Sequence, residues 1–143
     1  MEGRNTPAKV CAVLGTVLVW SPILLTFATS VIGSLSSGRF LFDYLMPAEL
    51  FPAALIGAFL LLWAAFRAHA YLRQTAVGLG AAVLFLFGGQ AIAVAGGLAS
   101  GATPPEGWIW ALVIASLVIY TLAVVELGVV GVRLAMKLLR SKR

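Results

Sequence analysis

Four long apolar stretches, separated by short polar ones, make up most of the chain. The third is the clearest. Thr75–Ser100 reads TAVGLGAAVLFLFGGQAIAVAGGLAS, carries no charged residue, and exceeds the roughly 20 apolar residues that a helix needs to cross a bilayer. Val10–Gly33 is a comparable run with Pro22 near its middle. A proline there removes a backbone hydrogen bond and kinks a helix, and the preceding Ser21 is placed to satisfy the freed carbonyl. Ala48–Ala70 follows Pro47 and carries Glu49, a fixed φ and an acid that both suit a helix start. Before the fourth stretch, Thr103-Pro104-Pro105-Glu106 has capping-box spacing, with Pro104 at the first helical position. The pattern predicts an all-α membrane protein, a single-domain antiparallel bundle of four transmembrane helices. The spans fall at approximately 9–33, 48–68, 75–100 and 104–133, with a basic tail over 134–143.

Two connections add detail. Ser34–Pro47, SLSSGRFLFDYLMP, is too polar at its start to span and too apolar later to be a free loop. It is expected to lie in the membrane interface between helices 1 and 2, with Arg39 and Asp43 four residues apart on one face. Arg67–Gln74 is short, so helices 2 and 3 are expected to be antiparallel neighbours. The basic start and the Ala28-Thr29-Ser30 sequence raise a secretory signal, but the apolar run exceeds the 7–15 residues of such a core. It is therefore read as a retained helix.

Composition agrees with this reading. The 143 residues are 62% hydrophobic and 10% charged, with mean hydropathy +1.04, against about 25% charged in a soluble domain. The net charge of +5 does not point to nucleic acid, because the cations sit at the ends of apolar runs. Arg4, Lys9, Arg67, Arg73, Arg133, Lys137, Arg140, Lys142 and Arg143 fall on one side of a four-span topology and only Arg39 on the other, with Asp43, Glu49 and Glu106. Lys/Arg asymmetry orients membrane proteins, so the expectation is a multi-pass cell-membrane protein with both termini cytoplasmic. Trp108 and Trp110 suit an outer aromatic belt, Trp63 and Tyr71 an inner one. Arg67, Arg73, Arg133, Lys137 and Arg140 are candidates for contact with anionic lipid headgroups, although topology alone also accounts for them.

Within the spans, small residues and a few polar ones stand out. Gly89, Ala93 and Gly97 recur every four residues and form one helical ridge; such ridges let helix backbones approach closely in lipid. Gly88 and Gly96 lie beside them. Glu126 is the only acid inside a span, where a charge at mid-bilayer costs roughly 2.5–3.5 kcal/mol. Eighteen residues after Trp108, it lies about 27 Å along the helix, near the inner edge. There it either pairs with Arg67 or Arg133 or serves as a functional carboxylate. Gln90 is at a depth matching Thr26, Ser30 and roughly Ser116. Together these form a candidate hydrogen-bond cluster, either packing glue or the lining of a ligand site or pore.

Signals for chemistry are weak. His69 is the lone histidine and Cys11 the lone cysteine, which disfavours a bis-histidine haem, an all-protein zinc site and CxxC redox chemistry. The Gly-Gly pairs lie in an apolar helix without a following Lys-Ser/Thr and are not phosphate loops. No cofactor, metal or enzymatic activity is expected. The first expectation is a non-catalytic membrane subunit that self-associates, binds a partner membrane protein, or binds a small ligand or lipid. The alternative is a small oligomeric transporter or channel whose path is lined by polar residues of helices 1, 3 and 4.

Overall fold

The computed structural model describes residues 6–38 and 51–141. Within them the chain forms α1 (Thr6–Ser37), α2 (Phe51–Ala68), α3 (Leu72–Ala95) and α4 (Gly107–Arg140), with no strand among the described residues. Each helix is long and apolar enough to cross a membrane. The chain is a multi-pass membrane protein built as an all-α four-helix bundle. Helix α1 packs on α2 and α4, and α3 packs on α4 and over a shorter stretch on α2. Helices α1 and α3 therefore stand at opposite corners.

Glycines set how closely these helices approach. A methyl group added at Gly15 would lie 2.8 Å from the carbonyl oxygen of Gly57, and one at Gly57 would lie 2.9 Å from the carbonyl oxygen of Gly15. The backbones of α1 and α2 thus touch at this point. Leu61 closes the junction: its side chain lies against Gly15 and also against Gly131 of α4, and it is 1% exposed. On the other pair, Leu127 sits on Gly78, Ser116 on Gly89 and Ile109 on Gly96. Eleven residues up α3 match eleven down α4, and seven more match seven more. One antiparallel register therefore holds along the whole contact.

Two apolar clusters follow. One, around Val19, Ala58, Leu61, Leu79, Ala82, Ala123 and Leu127, fills the middle of the bundle. The other joins Ala8, Ala12, Ala64, Ala65, Ala70, Leu134 and Leu138 at the end that carries the basic residues. Alanine dominates the second, so the helices converge there.

Local chemistry explains the helix ends. Ser21 Oγ donates to the Leu18 carbonyl at 3.3 Å, the carbonyl whose usual partner Pro22 removes, so α1 continues as a helix through the proline. Helix α3 ends at Ala95, short of the expected Ser100. Gly96 caps it, and Gly97 has φ +74, a left-handed conformation that glycine adopts freely. The expected capping box at Thr103 does not form. Pro105 disfavours helical geometry at Pro104, so the cap shifts to Glu106 and α4 starts at Gly107. Thr103 Oγ1 instead donates to the Gly96 carbonyl at 2.7 Å and ties the α3–α4 turn. At the other end α4 runs to Arg140 as one helix of 34 residues, continuing past the span limit near 133 to about the expected helix end at Leu139, and α1 spans 6–37 rather than 9–33. The interfacial segment with Arg39 and Asp43, and the start of the second span at 48–50, lie outside the described residues.

The link from α2 to α3 is three residues, His69–Tyr71. His69 (φ 49) and Tyr71 (φ 57) are both left-handed, which costs about 1–2 kcal/mol per non-glycine residue. The turn is held because Ala70 is buried in the alanine-rich cluster, and the Ala70 amide donates to the Ala65 carbonyl at 3.2 Å.

The glycine contacts make a directional prediction. Gly57→Ala should lower unfolding stability by about 1–3 kcal/mol, as overpacking does, because rigid backbone on α1 blocks the added carbon. Gly88→Ala meets nothing within 4 Å and should be neutral or slightly stabilising. Thermal unfolding in mild detergent compares the two; an equal loss from both would overturn the Gly15–Gly57 contact.

Candidate functional site

The polar residues of the spans were expected to meet inside the bundle. The structure distributes them otherwise. Gln90 follows Gly89, which faces Ser116 on α4; one step round the helix from that contact, Gln90 is exposed. Thr26 and Ser30 belong to α1, at the corner opposite α3, so a cluster with Gln90 is not built. The hydroxyls also have local partners. Thr26 Oγ1 donates to the Pro22 carbonyl at 2.6 Å and Ser116 Oγ to the Leu112 carbonyl at 2.9 Å. Thr16, Thr75 and Thr121 do the same one turn back on their own helices. Such back-bonding satisfies a hydroxyl in lipid without a neighbouring helix.

The packing ridge is also revised. Gly89 is buried and seats Ser116, and Ala93 is half-buried on the same helix. Gly97 lies past the helix end, where its carbonyl accepts from the Ala102 and Thr103 amides; it shapes the turn rather than a helix face.

Glu126 is exposed on α4, on an apolar surface with exposed Leu122 and Val129. Among the described residues no ion pair joins it to Arg67 or Arg133. Arg133 is seven residues away, about 10 Å along the axis. Arg67 ends α2, which has only a slight contact with α4, and its guanidinium lies over the Trp63 ring at 5.6 Å. The carboxylate therefore points to the surroundings of the bundle. The α3–α4 register sets its level: Leu127 rests on Gly78, so Glu126 lies near the depth of Gly80. Gly80 is exposed, and neither it nor Gly88 would bring an added methyl within 4 Å of another atom. Gly80 and Gly88 on α3 and Glu126 on α4 thus all lie outside the internal packing of the bundle.

The interior offers less. Its recess, lined by residues including Phe51, Leu55, Ala82, Tyr120 and Val124, has a volume of about 10 Å³, room for roughly one water. Phe51 meets Phe87 edge-on at 6.0 Å and lies 6.1 Å from Tyr120, which stacks aromatics beside this recess. Trp20 is a polar contact that sequence reasoning missed. Its ring lies against Gly128, where an added methyl would come within 2.8 Å, and its Nε1–H is buried without a hydrogen-bond partner among the described residues. Among the described residues no three His, Cys, Asp or Glu side chains group as metal ligands. Cys11 is a free, half-buried thiol packed beside the alanine-rich cluster.

The basic candidates all sit at one end. Arg67, Arg73, Arg133, Lys137 and Arg140 are exposed, and Lys137 Nζ lies over the Tyr71 ring at 5.6 Å. No protein-family model, characterised protein or solved structure matches this chain.

With Glu126 unpaired inside the bundle, Glu126→Leu should change the unfolding free energy of the isolated chain by no more than about 0.5 kcal/mol, as for an ordinary surface position. Chemical denaturation in detergent micelles measures it. A loss of roughly 3–5 kcal/mol, the size expected on breaking a buried ion pair, would place Glu126 in an internal pair after all.

Proposed function

We propose that this chain is a non-catalytic membrane subunit that docks a membrane-spanning helix of another protein on the outward side of α3 and α4. The observation that carries this reading is the exposure of Glu126 on an apolar face of α4 beside exposed Leu122 and Val129, with an open glycine, Gly88, on the adjacent helix α3. An acid in lipid is costly unless hydrated or partnered, and open glycines let a second helix approach. A partner helix carrying a cation or amide donor at that depth satisfies both. Self-association on this face is the weaker form: a two-fold axis along the membrane normal would set Glu126 against its own copy, and like charges repel. A transport path through one chain has little support, because the recess holds about one water and the polar residues of helices 1, 3 and 4 do not converge. The Lys/Arg distribution supports both termini on the cytoplasmic side.

Two experiments test this reading. A photo-crosslinking residue in place of Leu122, one turn from Glu126, should yield an adduct of one discrete mass in native membranes. Glu126→Leu should abolish it, whereas the same probe at Leu24 on α1, 61% exposed, should give none. Lipid adducts alone, or equal adducts from both positions, would remove the docking face. For topology, reporter fusions after Arg143 and at Ser37 should report cytoplasmic and external locations respectively; an external signal at Arg143 would reverse the orientation.

A further inference from the structure

The end of the bundle at the start of α3 and the end of α4 carries a second arrangement, separate from the docking face. Three exposed cations lie at that level, Arg73 on α3 and Arg133 and Lys137 on α4. Gly78 opposite Leu127 fixes the register, so Arg73, five residues before Gly78, is level with the stretch around Val132 and Arg133. Lys137 lies one turn beyond Arg133 on the same side of α4 and is placed over the Tyr71 ring. All three cations are exposed. The nearest described acid on these two helices is Glu126, about 10 Å deeper; Glu106 caps the opposite end of α4.

Topology explains why cations are at this end of the molecule. It does not explain why one of them is held in place. The left-handed conformation of Tyr71 positions its ring at the helix ends, and the ring face attracts the ammonium of Lys137. Arg133 lies one turn before Lys137 on α4, and Arg73 is near the same level on α3, where the apolar stretches of both helices give way to polar sequence, the level of lipid phosphates. Cations exposed at this level attract anionic headgroups. Guanidinium groups also suit phosphate oxygens, through paired N–H donors.

We infer that Arg73, Arg133 and Lys137, with Tyr71 as the platform for Lys137, form a binding site for the phosphate of an anionic membrane lipid. The ligand is a headgroup in the bilayer leaflet beside this end, and its acyl chains run along the apolar surface of α3 and α4. The site does not depend on partner docking.

The full chain is reconstituted in nanodiscs of phosphatidylcholine mixed with phosphatidylglycerol and then moved gently into detergent, and the lipids it retains are identified by native mass spectrometry. The wild-type chain should retain phosphatidylglycerol above its share of the bilayer. Each cation near an anionic surface contributes about a fivefold preference, so Arg133→Gln with Lys137→Gln should reduce the enrichment roughly thirtyfold and either single change about fivefold. Lys9→Gln removes a charge from the same end but outside the site, and should lower enrichment clearly less than Arg133→Gln or Lys137→Gln does. Lys137→Arg keeps a cation on Tyr71 and should retain the lipid, a readout that holds if the double variant does not fold. No enrichment in the wild type, or an equal fall with Lys9→Gln, would reduce the cluster to diffuse surface charge and overturn the site. Inorganic phosphate added to the chain in phosphatidylcholine nanodiscs should not raise thermal stability. A rise equal to that given by phosphatidylglycerol would assign the site to free phosphate and overturn the lipid assignment.

Discussion

The contact on which the bundle depends is the meeting of two backbones at Gly15 and Gly57. In lipid, apolar side chains gain little by leaving one hydrocarbon for another, so helices associate through close van der Waals packing. That packing is closest where neither helix carries a Cβ. Leu61 fills the space beside the crossing and reaches Gly131, so a single leucine links α4 to the α1–α2 pair. Three helices therefore share one junction. Helix α3 is absent from it and is held by its long register with α4 and by the short turn from α2. The consequence is asymmetric: α1, α2 and α3 cover the inward sides of α4, while the outward sides of α3 and α4 together stay open.

The four spans were legible in the sequence because the lipid imposes them. A helix that crosses hydrocarbon must be long and apolar, and that signature survives without knowledge of neighbours. The junction was not legible. Gly15, Gly57 and Gly131 lie one to a helix, so no periodic pattern within a segment marks them, and only the assembled bundle brings them together. The regular Gly89–Ala93–Gly97 spacing was easier to see and partly misleading. Small residues four apart occur both on packing ridges and where a helix ends, and Gly96-Gly97 followed by Ser100-Gly101 is equally a stop signal. At the next turn, Thr103-Pro104-Pro105-Glu106 resembles a capping box by residue type. The second proline, which restricts the first, decides that the helix starts three residues later than the box would place it.

The polar residues show a different limit. Their depths were read by counting residues along straight helices, but depth does not fix azimuth or neighbours. Gln90, expected at the depth of Thr26 and Ser30, stands on a helix at the opposite corner from theirs. Thr26 and Ser116 also need no partner, since each returns a hydrogen bond to its own helix. An amide or carboxylate cannot do this as easily as a hydroxyl. Among the candidates Gln90 and Glu126 are the groups hardest to satisfy locally, and both are exposed.

That distribution separates what holds the bundle from what it offers to its surroundings. The inside is made of glycine, alanine and leucine, with hydroxyls closed onto their own helices and a recess of about one water. Outside, the exposed surfaces of α3 and α4 carry an acid and open glycines in their apolar length, and three cations where the helices reach the polar boundary. A membrane bundle with no partner could have lined this side with leucine, isoleucine and valine without disturbing a single internal contact, because no internal contact uses these positions. Gly80 and Gly88 lower helix propensity relative to alanine by roughly 1 kcal/mol each in water, and Glu126 adds a burden in lipid. None of these is offset by packing within the chain. These positions are thus set by the surroundings of the bundle and not by its internal packing.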